Sequence, residues 1–413
     1  MRQQSGTGYT RRAVLKYGLA GVGALAVARF GRAHAQAKTL TVWNLISQNK
    51  EADEAVEAIF KEWSGKNGLS LDFQNIPPTE INQRITVAVE AKSPPDVFHV
   101  FEGDIQFYRA QGLLVDVTDV INEAKAYEGG WFESCLLAAG YQGKYYGVPY
   151  AVTPWIMHTR DDLLKEAGVP YPKTWEDLIR LSPKISKPPQ VYTYAMVLGD
   201  ADDTNKNFMT LAWGYGGQLQ NEQGALTFRS PGMLEAVKVI KAMYDQKVIP
   251  PGAITWDASG NNKAYQSRQA VFALNPNSIY VWLDQNDKDL LNKTGMYGTP
   301  AGPKGAYDFI DIRGFVVFKD GKNPAAGKES LRFFLQPANY EKVINASLNR
   351  TAPVFKRMMD RPLWNKPAYK EYKRIMVNGR IGAYAGPPNP AQGEVDTQWI
   401  VPHMLQAVCT GSK

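Results

Sequence analysis

From Thr39 onward the hydrophobic positions change period at regular intervals. The run "TLTVW" (residues 39–43) is β-branched and apolar and predicts a strand, and the stretch behind it places Val56, Ile59, Phe60 and Trp63 on one face of a helix. "LSLDF" (69–73) predicts a second strand. "TEINQRITVAVEAK" (79–92) predicts a second helix, facing inward through Ile81, Ile85 and Val89, and "DVFHVF" (96–101) a third strand. The order βαβαβ predicts an α/β protein whose chain opens a doubly wound sheet.

A short helix from Asp104 to Gly112 follows, and after it "LLVDVT" leads into a long region without clear periodicity. Helical signals return at "DDLLKEAG", stopped by Gly168, and at "PKTWEDLIRL", where Thr174 stands three residues before Asp177 as in a capping box. Ser230 and Pro231 predict the cap and first turn of a helix whose Leu234, Val237, Ile240, Met243 and Tyr244 share a face. Residues 268–282 read as strand, turn and helix, 314–318 as a strand, and 323–335 as a helix. No internal repeat or long low-complexity linker interrupts the series.

The N-terminus obeys different rules. "TRRAVLK" (10–16) is a twin-arginine pattern before an uncharged, small and apolar stretch over 17–28, which is too short to cross a bilayer. Small residues around "RAHAQA" offer cleavage after Ala35 or Ala37, so residues 1–37 read as an export signal and the destination as the periplasm. "GVGALA" (21–26) matches a dinucleotide fingerprint in letters, but no strand precedes it, and it belongs to the signal composition.

Removing that leader changes the charge. The whole chain carries +7, yet residues 1–37 hold Arg2, Arg11, Arg12, Lys16, Arg29 and Arg32 and no acid, which leaves the remainder at +1. A nearly neutral chain gives no electrostatic reason to expect nucleic acid or an anionic membrane as partner. About 376 residues remain, enough for two domains, and 44% hydrophobic content can fill their cores. The two cysteines, Cys135 and Cys409, read as separate buried thiols rather than a framework.

Catalytic signatures are sparse. His99, His158 and His403 lie far apart without carboxylates at ligand spacing, so neither a metal nor another cofactor is expected. There is no nucleophile elbow, Walker loop or H-E-x-x-H, and "WGYGGQL" (213–219) reads as a turn packed against an aromatic rather than a phosphate cradle. Glu102 and Asp104 stand directly after the third strand, where an open α/β sheet meets its ligand. They suit acceptors for ligand hydroxyls; a glycosidase pair and a helix cap are the alternative readings. Aromatic residues beside polar ones recur at strand-to-helix junctions: Trp43, Tyr150, Trp155, Trp282 and Tyr384 accompany Asn44, Thr153, Asn275, Asn277 and Arg350. Such a mixture suits a sugar, with apolar C–H faces for stacking and hydroxyls for amides and carboxylates. Micromolar affinity needs about 8 kcal/mol and a net hydrogen bond gives roughly 0.5–1.5, so several residues must cooperate.

Four segments carry a resemblance: "PPDVFHVFEGDIQFYRAQGLLVDVT", "GKYYGVPYAVTPWIMHTRDDLLKEAGVPYPKTWEDLI", "WGYGGQLQNEQGALTFRSPGMLEAVKVIKAMYDQKVIPPGA", and "YGTPAGPKG" with "FVVFKDGKNPAAGKESLRFFLQPANYEKVINASLNRTAPV". Their order and spacing resemble the family 1 extracellular solute-binding proteins of ABC importers, which include maltose- and glycerol-phosphate-binding proteins. The resemblance implies the type II periplasmic binding fold, with one lobe from 38–151 and 298–350 and a second from 152–297 and 351–413. Crossings fall near 151–154, 298–302 and 351–353. It also implies a monomer without catalytic activity that binds a small molecule, expected to be a mono- or oligosaccharide, and delivers it to permease subunits. A polyol, polyamine or organic phosphate is the alternative ligand, and an exported glycoside hydrolase the alternative activity. Ligand contacts are implied at Trp43 and Asn44, at Glu102 and Asp104, at Tyr150, Thr153 and Trp155, at Asn275, Tyr280 and Trp282, and at Arg350. Sugar-binding members often have an acid where Thr153 stands, and Arg350 suits an anionic ligand.

Overall fold

A computed structural model of the chain describes residues 39–47 and 49–412. The export signal and cleavage points expected over residues 1–37 lie outside the described residues. Among the described residues eleven strands follow one another: β1 (Thr39–Leu45), β2 (Ser70–Ile76), β3 (Val97–Phe101), the small hairpin of β4 (Gly140–Tyr141) and β5 (Lys144–Tyr145), β6 (Val148–Pro154), β7 (Ile156–Arg160), β8 (Tyr192–Tyr194), β9 (Ala270–Asn275), β10 (Thr294–Tyr297) and β11 (Ile310–Val317).

They form two main sheets. The first has the order β2-β1-β3-β11-β6, and the second β10-β7-β9-β8. The βαβαβ start is present, with β1 parallel to both β2 and β3, linked by the helices Lys50–Lys66 and Pro78–Glu90. The doubly wound pattern then stops, because β11, arriving from far along the chain, pairs antiparallel with both β3 and β6. This strand from a later segment thus sits between β3 and β6, joining distant parts of the chain in one sheet.

Each sheet has its own core. Val56, Ile59, Phe60 and Trp63 are buried against the first, as their spacing predicts, alongside Phe315 and Phe334. The second surrounds Met157, Trp175, Trp213 and Phe272. Cys135 and Cys409 are free thiols buried in different cores. The chain changes sheet at Trp155, between the end of β6 and the start of β7, and returns through the segment between β10 and β11. Ala352 bridges back to Val152 across the same junction. Residues 351–413, which the resemblance put in the second lobe, divide between the cores. Trp364, Tyr372 and Ile375 join the first, and Val401, Leu405 and Cys409 the second.

Several local signals act as the sequence implies. Thr174 Oγ1 accepts the Asp177 N–H at 3.0 Å, Ser230 caps the helix Pro231–Asp245, and Gly168 takes φ +65° after the helix Asp161–Glu166. Others differ. Leu234 is 54% exposed, and the inward stripe is Met233, Ala236, Ile240 and Met243. That helix carries apolar residues over more than one face, and packing against the helices Asp202–Gly214 and Ile400–Thr410 selects the stripe. The region after residue 113 is also more regular than its pattern suggests, holding two seven-residue helices, Thr118–Ala124 and Glu133–Ala139.

Candidate functional site

A cavity of about 300 Å³ opens where the lobes face each other. One wall comes from β3 and the helix Glu102–Ala110; the other comes from the helix Asp202–Gly214 and from Gln392, Asp396 and Trp399 near the C-terminus. The walls meet closely at Gly393, where an added Cβ would lie 2.9 Å from the Gly103 carbonyl oxygen.

Carboxylates crowd this space. Glu102 is 2% exposed and accepts the Ile312 N–H at 3.1 Å; burial and the nearby Asp311 charge push it up to about 7, against the pull of Lys206. Asp104 is pushed up to about 6 by burial, although the Phe101 N–H donates to it at 3.0 Å and the Asp202 charge adds to the rise. It therefore closes the first turn of its helix while standing in the cavity wall. Burial likewise raises Asp311 and holds Asp396 well above the ordinary carboxylate range.

Lys206 sits among them. Its ammonium pairs with Asp202 and lies 3.1 Å from Asp311 Oδ1; burial alone would lower its pKa, but the charges of Asp202, Asp311, Asp396 and Glu102 hold it well above the usual value. The ring centroids of Phe101 and Phe309 stand 5.1 and 5.8 Å away. Trp155, 2% exposed, donates its Nε1 hydrogen to Asp311 Oδ2 at 2.8 Å behind the cavity. Trp155→Phe keeps a buried ring and removes that donor. It should cost about 1–3 kcal/mol of stability, read by urea unfolding followed by circular dichroism.

The other sequence-derived candidates take different places. Asn44 donates to Asp53 Oδ1 at 3.3 Å and to Asn75 Oδ1 at 2.8 Å, and its own oxygen faces His99 Nδ1 at 3.1 Å. His99 is held neutral by burial, so the Nδ1–H donates to Asn44 and Nε2 faces the Tyr150 hydroxyl at 3.4 Å. His99 thus joins Asn44, near the end of β1, to Tyr150 within β6, and neither Asn44 nor Tyr150 lines the cavity. Trp43 packs against the core of the first lobe, and Thr153 is buried in β6 with its hydroxyl unpartnered. Asn275 is tied to Asn261, Asn262 and Ser278. Arg350 is partly buried, and burial together with the charge of Arg313 lowers its guanidinium to about 9. Tyr280 packs on Tyr369 beside a separate groove, and Trp282 is 38% exposed. Of the eleven candidates, only Glu102 and Asp104 are in the cavity lining.

Sequence reading missed Lys206, Asn205, Gln392 and Asp396. "DDTNKN" (202–207) looks like a solvated run, yet Asp203, Thr204, Asn205, Lys206 and Asn207 are all buried. Its one signal was position: six polar residues immediately ahead of the apolar "FMTLAW". Among the described residues no His, Cys, Asp and Glu cluster is arranged to hold a metal ion.

Residues 47–341 match the family model of the bacterial extracellular solute-binding proteins. The chain belongs to that family. Its members are binding proteins that work outside the cytoplasm, in the extracellular or periplasmic space. A Brucella abortus protein is 24% identical over 284 residues, 68% of each chain. A diacetylchitobiose-binding protein of Streptomyces coelicolor is 26% identical over 320 residues, covering 67% of this chain and 63% of that one. Among solved structures, a sugar transporter protein of Arthrobacter chlorophenolicus with bound laminaribiose superposes with a TM-score of 0.80 at 18% identity, over 91% of this chain and 95% of the other. That likeness carries the two-lobed type II binding fold.

Proposed function

We propose that this protein captures a carbohydrate, a mono- or oligosaccharide, between its lobes and hands it to the permease of an ABC importer. It does so as a periplasmic monomer exported by the twin-arginine route, and it leaves its ligand chemically unchanged. The observation that carries this reading is the cavity in which acids and aromatic rings of both lobes converge. Glu102, Asp104 and Asp396 offer acceptors for hydroxyl donors, while Phe101, Phe309 and Trp399 offer faces for the apolar side of a sugar ring. The diacetylchitobiose and laminaribiose of the two relatives support the same ligand class.

Titrating the exported chain with mono-, di- and trisaccharides tests the reading through tryptophan fluorescence and melting temperature. A true ligand at a hundredfold excess over its Kd should stabilise the protein by about 2.7 kcal/mol. Silence across sugars, polyols and their phosphates would reject the reading. Cleavage of a chromogenic glycoside, abolished by Glu102→Gln, would instead favour the hydrolase.

A further inference from the structure

Five donors at or beside the cavity are already engaged by carboxylates. Trp155 Nε1 serves Asp311, the Ile312 and Phe101 N–H groups serve Glu102 and Asp104, Asn205 Nδ2 donates to Asp396 at 3.0 Å, and Gln392 Nε2 reaches Glu102 at 3.5 Å. Two buried acceptors beside them are unused. Asn205 and Gln392 are each only 4% exposed and line the cavity, and their amide oxygens have no partner. Buried acceptors of this kind are costly unless a bound molecule donates to them.

Charge points the same way. Glu102, Asp104, Asp202 and Asp396 all line the cavity, and Lys206 is the one Lys or Arg among its described lining residues. Arg313 and Arg350 stand outside that lining. The ammonium of Lys206, set among carboxylates and over the Phe101 and Phe309 rings, displays the environment a second ammonium would find.

Resting on the carbohydrate reading, we propose that the ligand is a saccharide carrying a protonated amine, seated where Glu102, Asp396 and the free amide oxygens of Asn205 and Gln392 converge. The ammonium supplies positive charge to the acid-rich lining and hydrogen-bond donors to the two unused amide oxygens.

Calorimetric titration of the full chain with four probes tests this. The β-1,4-linked glucosamine disaccharide, its di-N-acetyl form and cellobiose share a backbone and differ in ammonium, acetamide and hydroxyl; putrescine carries amines without a sugar. The glucosamine disaccharide should bind at least about tenfold more tightly than either neutral disaccharide, with the advantage shrinking at high salt. Equal or tighter binding of a neutral disaccharide overturns the amine requirement and leaves the carbohydrate reading intact. Binding of putrescine alone overturns the carbohydrate reading and keeps the ammonium requirement. Failure of all four overturns the amine requirement, and the wider sugar panel above then decides whether the carbohydrate reading falls with it.

Discussion

Lys206→Met should destabilise the ligand-free protein by about 3–5 kcal/mol at pH 7.5, because it strips the counter-charge from a buried group of carboxylates. The methionine preserves most of the stem, so the packing beneath Phe101 and Trp155 is largely retained and the lost term is electrostatic. The lysine side chain is 6% exposed, pairs with Asp202, and lies 3.1 Å from Asp311, which is itself 3% exposed. Glu102 and Asp396 add their charges to the same ammonium. Without it, these acids repel one another in a space where water solvates them poorly. Protonation is their escape, so the loss should shrink when the variant is unfolded at pH 5. Urea denaturation at the two pH values, followed by tryptophan fluorescence, reads both numbers. A loss under about 1 kcal/mol at pH 7.5, or one of equal size at pH 5, would show that the ammonium is not the counter-ion.

The contrast between this lysine and the residues legible in the sequence has a physical cause. Helices and strands announce themselves through apolar periodicity, and Val56, Ile59, Phe60 and Trp63 pack as their spacing dictates. The place of Glu102 and Asp104 in the cavity lining was legible because they follow a strand end, where an open α/β sheet usually has its crevice. Lys206 and Asp396 were not, since a polar residue buried by contact between distant segments carries the same letters as one on the surface. Asp311 stands next to Lys206 only because β11 inserts beside β3 and β6, a pairing that local pattern does not encode. The aromatic candidates lie outside the cavity lining. Trp43 and Tyr150 look like ligand platforms beside their polar neighbours, but those neighbours bond to protein groups: Asn44 to Asn75 and His99, and His99 to the Tyr150 hydroxyl itself. The second lobe's Trp282 faced outward because its helix, Ser278–Asn286, buries Ile279 and Leu283 instead.

Glu102→Gln should make the ligand-free protein more stable at pH 8, even though it alters the site. In the folded chain Glu102 titrates near 7 and Asp203 near 7, each raised above its ordinary value chiefly by burial, and Asp104 near 6. Between about pH 4 and 7 the folded state therefore holds protons that the unfolded chain has released. Stability must fall as pH rises through that window, and the strain is fully present above it. A shift of this size in one buried group corresponds to about 3–4 kcal/mol. The glutamine is nearly isosteric, keeps an oxygen to accept the Ile312 N–H, and cannot ionise, so the variant should gain most of that amount at pH 8 and almost nothing at pH 4. Melting temperature measured across this range for both proteins reads the difference directly. Curves that run parallel would mean the carboxylate is well solvated in the folded chain. The same substitution should weaken binding of the cognate saccharide, because the charge that strains the empty cavity is the one a donor-rich ligand relieves. A carboxylate that strains the empty cavity and is relieved by a donor-rich ligand would behave as a binding group rather than a packing one.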